Sequence, residues 1–273
     1  MLEKFTYTNN LGETLEFGKD CLFVNENDLR DFAWDIINKN DRISGFKKGI
    51  VSKTIPIIIK CDYEAEGVAL RNRLFEVFEK DVIAKKHGKI HIGNYYLQCY
   101  ITGTKKAQYL TNRNYMVVSA TVRTDIPDWV KETTIERKMP SLDSTGFLDY
   151  PYDYQFDFQN QFVNTSIIND GLVPSNFILK IEGFVNNPSL YIGGHKYSVN
   201  TTVNDGEILV IDSLNKTIVL NKDGVLVNCF KDRNKYSYIF EKIPTGVSTI
   251  SSPDEQLKFS LTLFEERSEP KWI

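Results

Sequence analysis

Apolar residues recur at every second position through most of this chain, and turn dipeptides cut the alternation into short runs. From Ile178 to Cys229 the chain reads ILKIEGFVNNPSLYIGGHKYSVNTTVNDGEILVIDSLNKTIVLNKDGVLVNC. Strands carrying Ile, Val, Leu and Tyr alternate there with Asn-Pro, Gly-Gly, Asp-Gly and Asp-Gly, the pattern of antiparallel hairpins with one buried face. The same period appears earlier. Phe5 and Tyr7 face Leu15 and Phe17 across Asn9-Asn10-Leu11-Gly12, Cys21–Val24 reads as a short strand, and Thr54–Cys61 is β-branched with Pro56 near its start. Proline is tolerated at that place because a missing amide costs little at a strand end. Ile90 and Ile92, then Tyr95–Lys106 and Tyr115–Arg123, continue the series. In the second half Tyr154, Phe156 and Phe158, Val163–Ile168 and Phe177–Phe184 precede the hairpin run. Tyr236, Tyr238 and Phe240 are expected on one face of a later strand, and Leu257, Phe259, Leu261 and Leu263 on the last.

Two stretches depart from period two. From Glu64 to about Ala84, Leu70, Leu74, Val77, Phe78 and Val82 fall at three- and four-residue spacings with charged residues between them, which predicts one helix. Asp62 is the expected cap, and Lys85-Lys86-His87-Gly88 the expected stop, with Gly88 as the left-handed residue. Asp28–Ile37 has no clean period and is assigned to no element, while Asn38–Gly49 is polar, glycine-marked and basic at its end, as in a long loop or extended arm. Lys47 and Lys48 with Arg42 read there as solvated charge or a rim contact to another subunit.

A length of 273 residues suffices for two domains that each bury a core. The division expected is a β-rich N-terminal domain over 1–135, a linker over 136–150, a β-sandwich over 151–253, and a last strand with tail over 254–273. The fold class is thus mainly β with one α-helix. A net charge of -3 provides no general drive toward nucleic acid. The first residues lack a basic, then apolar, leader, and no apolar run approaches the ~20 residues of a membrane span, so a soluble protein made in a cytosol is expected. Cys21, Cys61, Cys99 and Cys229 have no CxxC spacing and read as buried thiols rather than disulfides or a zinc site.

Candidate chemistry is sparse. His87 and His91 would meet one metal ion on a helix, but Gly88 and the strand-like Lys89-Ile90-His91-Ile92 oppose that geometry. Asp153, Asp157, Glu207 and Asp212 are the acids a sandwich glycosidase could pair, at separations of ~5 to 10 Å. Tyr150, Tyr152, Tyr154 and Phe156 could form a sugar platform, although half-buried strands carry the same spacing. No serine, threonine or cysteine has a nucleophile context. The expectation is no catalytic residue, no cofactor and no metal, with carbohydrate binding or glycoside hydrolysis by the C-terminal sandwich as the alternative.

Taken in order, the hairpin FTYTNNLGETLEF, the polar arm, TIPIIIKC, the helix, KIHIGNYYLQCYITG, NYMVVSATVRTDIPDW, the hairpin series and the ending RSEPKWI resemble the distal tail protein family of long-tailed bacteriophages. The resemblance covers nearly the full chain. Its most specific parts are the junction Asp125-Ile126-Pro127-Asp128-Trp129, displaced from the family's commonest aspartate-proline-tryptophan form, the NP…I.G..Y…GE.L.ID series, and the terminus bearing proline and tryptophan. It implies a virion structural protein of the tail tip, assembled in the bacterial host cytoplasm, with no catalytic site. The N-terminal domain would form a hexameric ring on the tail tube, with DNA passing its lumen without specific binding. The C-terminal domain would be a galectin-like, carbohydrate-module-like sandwich. Implied partners are further copies of the chain, the major tail tube protein, a hub or tip protein, and receptor-binding or baseplate proteins. Asn38–Ser52, with Arg42, Phe46, Lys47 and Lys48, would clasp a neighbouring subunit, and Trp272 and Ile273 would dock back on the N-terminal domain.

Overall fold

The structure is a computed structural model that describes residues 4–24, 26–109, 115–137, 165–254 and 257–272. The chain forms two compact units, Met1–Lys131 with Glu266–Ile273, and Glu132–Glu265. The first carries β1 (Phe5–Thr8), β2 (Thr14–Phe17), β3 (Leu22–Val24), β4 (Asp35–Lys39), β5 (Arg42–Lys47), β6 (Val51–Lys60), α1 (Glu64–Ala84), β7 (Gly88–Ile92), β8 (Tyr95–Tyr109) and β9 (Tyr115–Thr124). It also holds the start of β10 (Trp129–Arg137), a strand that runs into the segment expected to be a linker; the rest of that segment, 138–150, lies outside the described residues.

Long β8 organises this unit. Its first half pairs with β7, Gly88 opposite Cys99, and with β10, Trp129 opposite Leu97. Its second half pairs with β9, Tyr100 opposite Arg123, with a bulge between Ile101 and Gly103 inside that ladder. One branch continues from β7 to β1 and β2, the other from β9 to β6 and β3. Ile55, Ile57, Ile59, Ile90, Leu97, Val118, Val122 and Trp129 share one core beneath α1. β6 begins at Val51, so Pro56 stands in mid-strand and not near the start, paired with Ser119 of β9; on the other side β3 reaches only Ile57–Ile59, so Pro56 lies beyond that ladder.

The helix covers the predicted span, but its ends and one stripe position differ from expectation. Tyr63, in extended conformation, precedes it, and no side chain caps it, so Asp62 does not act as the cap. Lys85 takes the left-handed conformation (φ 52°) in place of Gly88. Gly88 opens β7 instead, where its bare Cα lies against Asp81 and Tyr7. Leu74, Val77 and Phe78 are buried as the period requires, but Val82 is 41% exposed and Asp81 takes the buried place. Asp81 can do so because Tyr7 Oη, the Asn10 amide and Asn10 Nδ2 all donate to its carboxylate.

The second unit contains β11 (Thr165–Asn169), β12 (Asn176–Glu182), β13 (Val185–Asn186), β14 (Ser189–Ile192), β15 (His195–Ser198), β16 (Thr202–Val203), β17 (Ile208–Asp212), β18 (Thr217–Lys222), β19 (Val225–Asn228), β20 (Gly246–Ser251) and most of β21 (Lys258–Arg267). One sheet runs β19–β18–β17–β12–β21 and another β11–β20–β14–β15. Phe177, Leu179, Leu209 and Leu261 from the first meet Ile167, Leu190, Ile192 and Ile250 from the second in one core. The hairpin turns follow their dipeptides: Gly193-Gly194 and Asp223-Gly224 both have two consecutive positive φ angles, the geometry whose twist matches antiparallel strands.

The segment around Tyr236, Tyr238 and Phe240 is not a strand. It is irregular, with Phe240 buried, Tyr236 and Tyr238 exposed, and isolated bridges only at its two ends, Arg233 to Val199 and Ile243 to Ser175. The Asn234 and Ser237 side chains bond Ser198 and the carbonyl of Lys196 on β15, in place of a continuous backbone ladder. Among the described residues no helix is long and apolar enough to cross a membrane.

Candidate functional site

The polar stretch expected to be a loop or arm is a β-hairpin. Ile36 pairs with Phe46 and Lys39 with Arg42, and a bulge follows Ile37. Asn40 (φ 52°) and Asp41 (φ 57°) form the two-residue turn, short polar side chains being the ones that tolerate that conformation. The hairpin forms a sheet of its own. Ile36, Ile37, Ile43 (59%) and Phe46 (60%) are exposed, as are Phe32, Trp34 and Ile50 beside it. Composition hid this apolar set, because lysine, asparagine and glycine outnumber the isoleucines. The legible signal was two hydrophobic pairs flanking Asn40-Asp41.

The root of the hairpin is pinned while its body is not. Lys48 Nζ donates to Asp128 Oδ1 and, at 2.8 Å, to Ser268 Oγ, and lies 4.4 Å from the centre of the Trp34 ring. Lys53, nearly fully buried, donates to the carbonyls of Asp28 (2.9 Å) and Asp31, and burial lowers its pKa. Of the arm residues singled out in the sequence, Arg42, Phe46 and Lys47 lie on the exposed strand β5, and Lys48 sits at the root. Trp272 is 75% exposed, yet Arg30 stacks over its ring at 4.0 Å and its indole donates to Glu269 at 2.6 Å. Ile273 lies outside the described residues.

The other candidates have structural occupations. Glu207 immediately precedes β17 and Asp212 ends it, about 16 Å apart at a strand rise of ~3.3 Å per residue, too far for a carboxylate pair. Glu207 accepts the Asn204 amide, and Asp212 accepts the Leu214 and Asn215 amides in its turn. Asp153, Asp157, Tyr150, Tyr152, Tyr154 and Phe156 lie outside the described residues. His87 bonds Asp125 at 2.7 Å and packs on Tyr100, while His91 packs on Tyr96, so the two histidines face different partners. Burial, with a hydrogen bond to Cys21, pushes the Cys61 thiol up to about 12, and burial raises Cys99 and Cys229 as well, the reverse of what a thiolate nucleophile needs.

Comparison with solved structures gives the fold. The chain matches the crystal structure of the SPP1 Dit (gp 19.1) protein, described as a paradigm of the hub adsorption apparatus in phages infecting Gram-positive hosts. The TM-score is 0.61 at 12% identity, over 96% of this chain and 99% of that one. This chain has the Dit hub fold. A chain of the phage P2 baseplate in its activated conformation with Ca matches with TM-score 0.61 and 13% identity, over 99% of this chain and 100% of that one. The corresponding Sr structure matches with TM-score 0.59 and 12% identity, over 98% and 99%. No protein-family model and no curated sequence matches the chain. At these identities the Dit likeness lies in the path of the backbone.

Proposed function

We propose that this chain is a distal tail protein of a bacteriophage tail tip or a related tail-like particle. In this reading it closes into a homohexameric ring that joins the tail tube to the tip or baseplate. The hairpin Asp35–Lys47 of each copy lies on the first unit of the next. The observation that carries the reading is that hairpin: a two-stranded sheet with exposed isoleucines and a phenylalanine, bonded to no other strand among the described residues. An isolated hairpin is marginal in water, and a contiguous exposed apolar surface marks an interaction site. A ring also needs a donor and a different acceptor surface on each copy. Exposed Phe75 and Ile83 on α1 offer an apolar acceptor face. The likeness to hub and baseplate chains supports the same role.

The first unit is then the ring-forming domain, contacting the tube and hub proteins. The second unit carries receptor-binding or baseplate proteins, and DNA passes the lumen without specific contact. The chain acts by shape, not by catalysis. Light scattering on the purified full chain tests this: a hexamer is expected, with Ile43→Asp and Phe46→Asp shifting it to monomer while its melting temperature holds. A monomer at high concentration together with no ring in assembled particles would overturn it.

A second reading, saccharide binding by the second unit, draws on the cleft where exposed Tyr236 and Tyr238 stand beside Arg233, Asn234 and Lys235. Aromatic faces beside planar polar groups suit a sugar. A glycan array decides it, since the hub role requires no strong, specific binding.

A further inference from the structure

Cys21 and Cys61 are remote in the chain and adjacent in space. Cys21 stands just ahead of β3 and Cys61 just past β6, and the antiparallel register, Leu22 opposite Ile59, brings these flanks together. The Lys60 amide donates to the Cys21 carbonyl at 2.9 Å, extending the ladder to the residues that carry the thiols. The chain then turns into α1, whose first turn holds Glu66. The two Sγ atoms and a Glu66 carboxylate oxygen all lie within 4.8 Å of one another. Cys61 is buried, Cys21 half-buried and Glu66 exposed, and the three line a cleft of about 620 Å³ with Lys19, Asp20, Leu70 and Arg73.

We propose that Cys21, Cys61 and Glu66 bind a thiophilic divalent cation of the Zn2+ class, with solvent from the cleft as the fourth ligand. A tetrahedral ion with sulfur at ~2.3 Å and carboxylate oxygen at ~2.0–2.2 Å needs ligand atoms about 3.5–3.8 Å apart. The ligand atoms, within 4.8 Å of one another, have to draw together by about an ångström to reach that size, and the three reach the point from separate places in the chain, ahead of β3, past β6 and on the first turn of α1. Two thiolates with one carboxylate select a soft or borderline ion; calcium and magnesium would find a single oxygen donor. The site with its ion keeps one net negative charge, and Lys19 and Arg73 in the same cleft are of the sign to offset it. Bound there, the ion ties β3, β6 and α1 together and adds its binding free energy to the stability of the first unit.

The test uses the full chain, stripped of metal and kept reduced with a phosphine, titrated with Co2+ and then Zn2+. Thiolate-to-cobalt charge-transfer absorption is expected, saturating near one ion per chain, and Zn2+ should bleach it and raise the melting temperature. Cys21→Ser should weaken Co2+ binding at least about tenfold, and Glu66→Gln by a smaller factor, because each removes a protein ligand. Both variants should melt like the parent without metal; Glu66 is exposed, so its variant remains informative if Cys21→Ser fails to fold. Absence of the charge-transfer band, its persistence at full strength in both variants, or a covalent Cys21–Cys61 bond that survives the reductant overturns the proposal.

Discussion

Tyr7 donates its phenolic hydrogen to Asp81 Oδ2 inside the first core, where both side chains are fully buried. The Asn10 amide donates to the other carboxylate oxygen at 2.7 Å, so the turn of the first hairpin is tied to the last turn of α1. Burial, the bond to Asp81 and the neighbouring negative charge push the Tyr7 pKa far up, so the hydroxyl remains a donor. A hydrogen bond to a charged group contributes about 1.5–3 kcal/mol, and Tyr7→Phe is expected to cost that much. Asp81→Ala, which leaves several donors without an acceptor, should cost more. Urea unfolding followed by fluorescence measures both.

Gly88→Ala is expected to destabilise the first unit by about 1–3 kcal/mol, because an added Cβ collides with the Asp81 carboxylate and the Tyr7 hydroxyl. These groups are held by each other and cannot step aside. Gly103→Ala in β8 is the control, since nothing lies within 4 Å of the point its added methyl would occupy and the cost should fall within about 0.5 kcal/mol. Chemical denaturation of the two variants side by side gives the comparison.

Lys48→Ala should loosen the root of the hairpin without unfolding its body, because it removes the contacts to Asp128, Ser268 and Trp34 together. Faster amide hydrogen exchange through β4 and β5, with the core strands unchanged, is the expected readout. Lys48→Arg, which keeps the charge, should restore part of the protection.

Acidification should weaken the second unit through Glu207. The Asn204 amide, with Lys222 beyond it, holds this carboxylate below its usual range. A carboxylate whose pKa is lower folded than unfolded stabilises the fold above its unfolded value, and that contribution disappears as pH falls through the folded value. Melting temperature should therefore drop across the acidic range in the parent, and drop less in Glu207→Gln.

Much of the fold was legible locally. Gly193-Gly194 and Asp223-Gly224 dictate their turns because few residues adopt positive φ cheaply, and the helix span follows from its apolar period. The departures from that local pattern share one cause, a partner distant in the chain. The apolar stripe of α1 includes Val82 and leaves out Asp81, because a charged residue is normally solvated, and only the donors on Tyr7 and Asn10 make the burial of Asp81 tolerable. Tyr236, Tyr238 and Phe240 alternate like a strand, but β strength comes from a ladder of amides, and this segment meets β15 chiefly through the side chains of Asn234, Ser237 and His195.

Local sequence thus determined where strands turn and where α1 runs, because turn dipeptides and hydrophobic period act within a few residues. Tertiary structure alone decided that Lys48 meets Asp128 and Ser268, 80 and 220 residues away, and that Cys21 meets Cys61 and Glu66. Those meetings depend on which strands pair and in what register, as where Leu22 stands opposite Ile59 and brings the flanking Cys21 and Cys61 together. The same holds for the hairpin Asp35–Lys47: its turn is written in Asn40-Asp41, but the exposure of its isoleucines follows from which surfaces the rest of the first unit leaves uncovered.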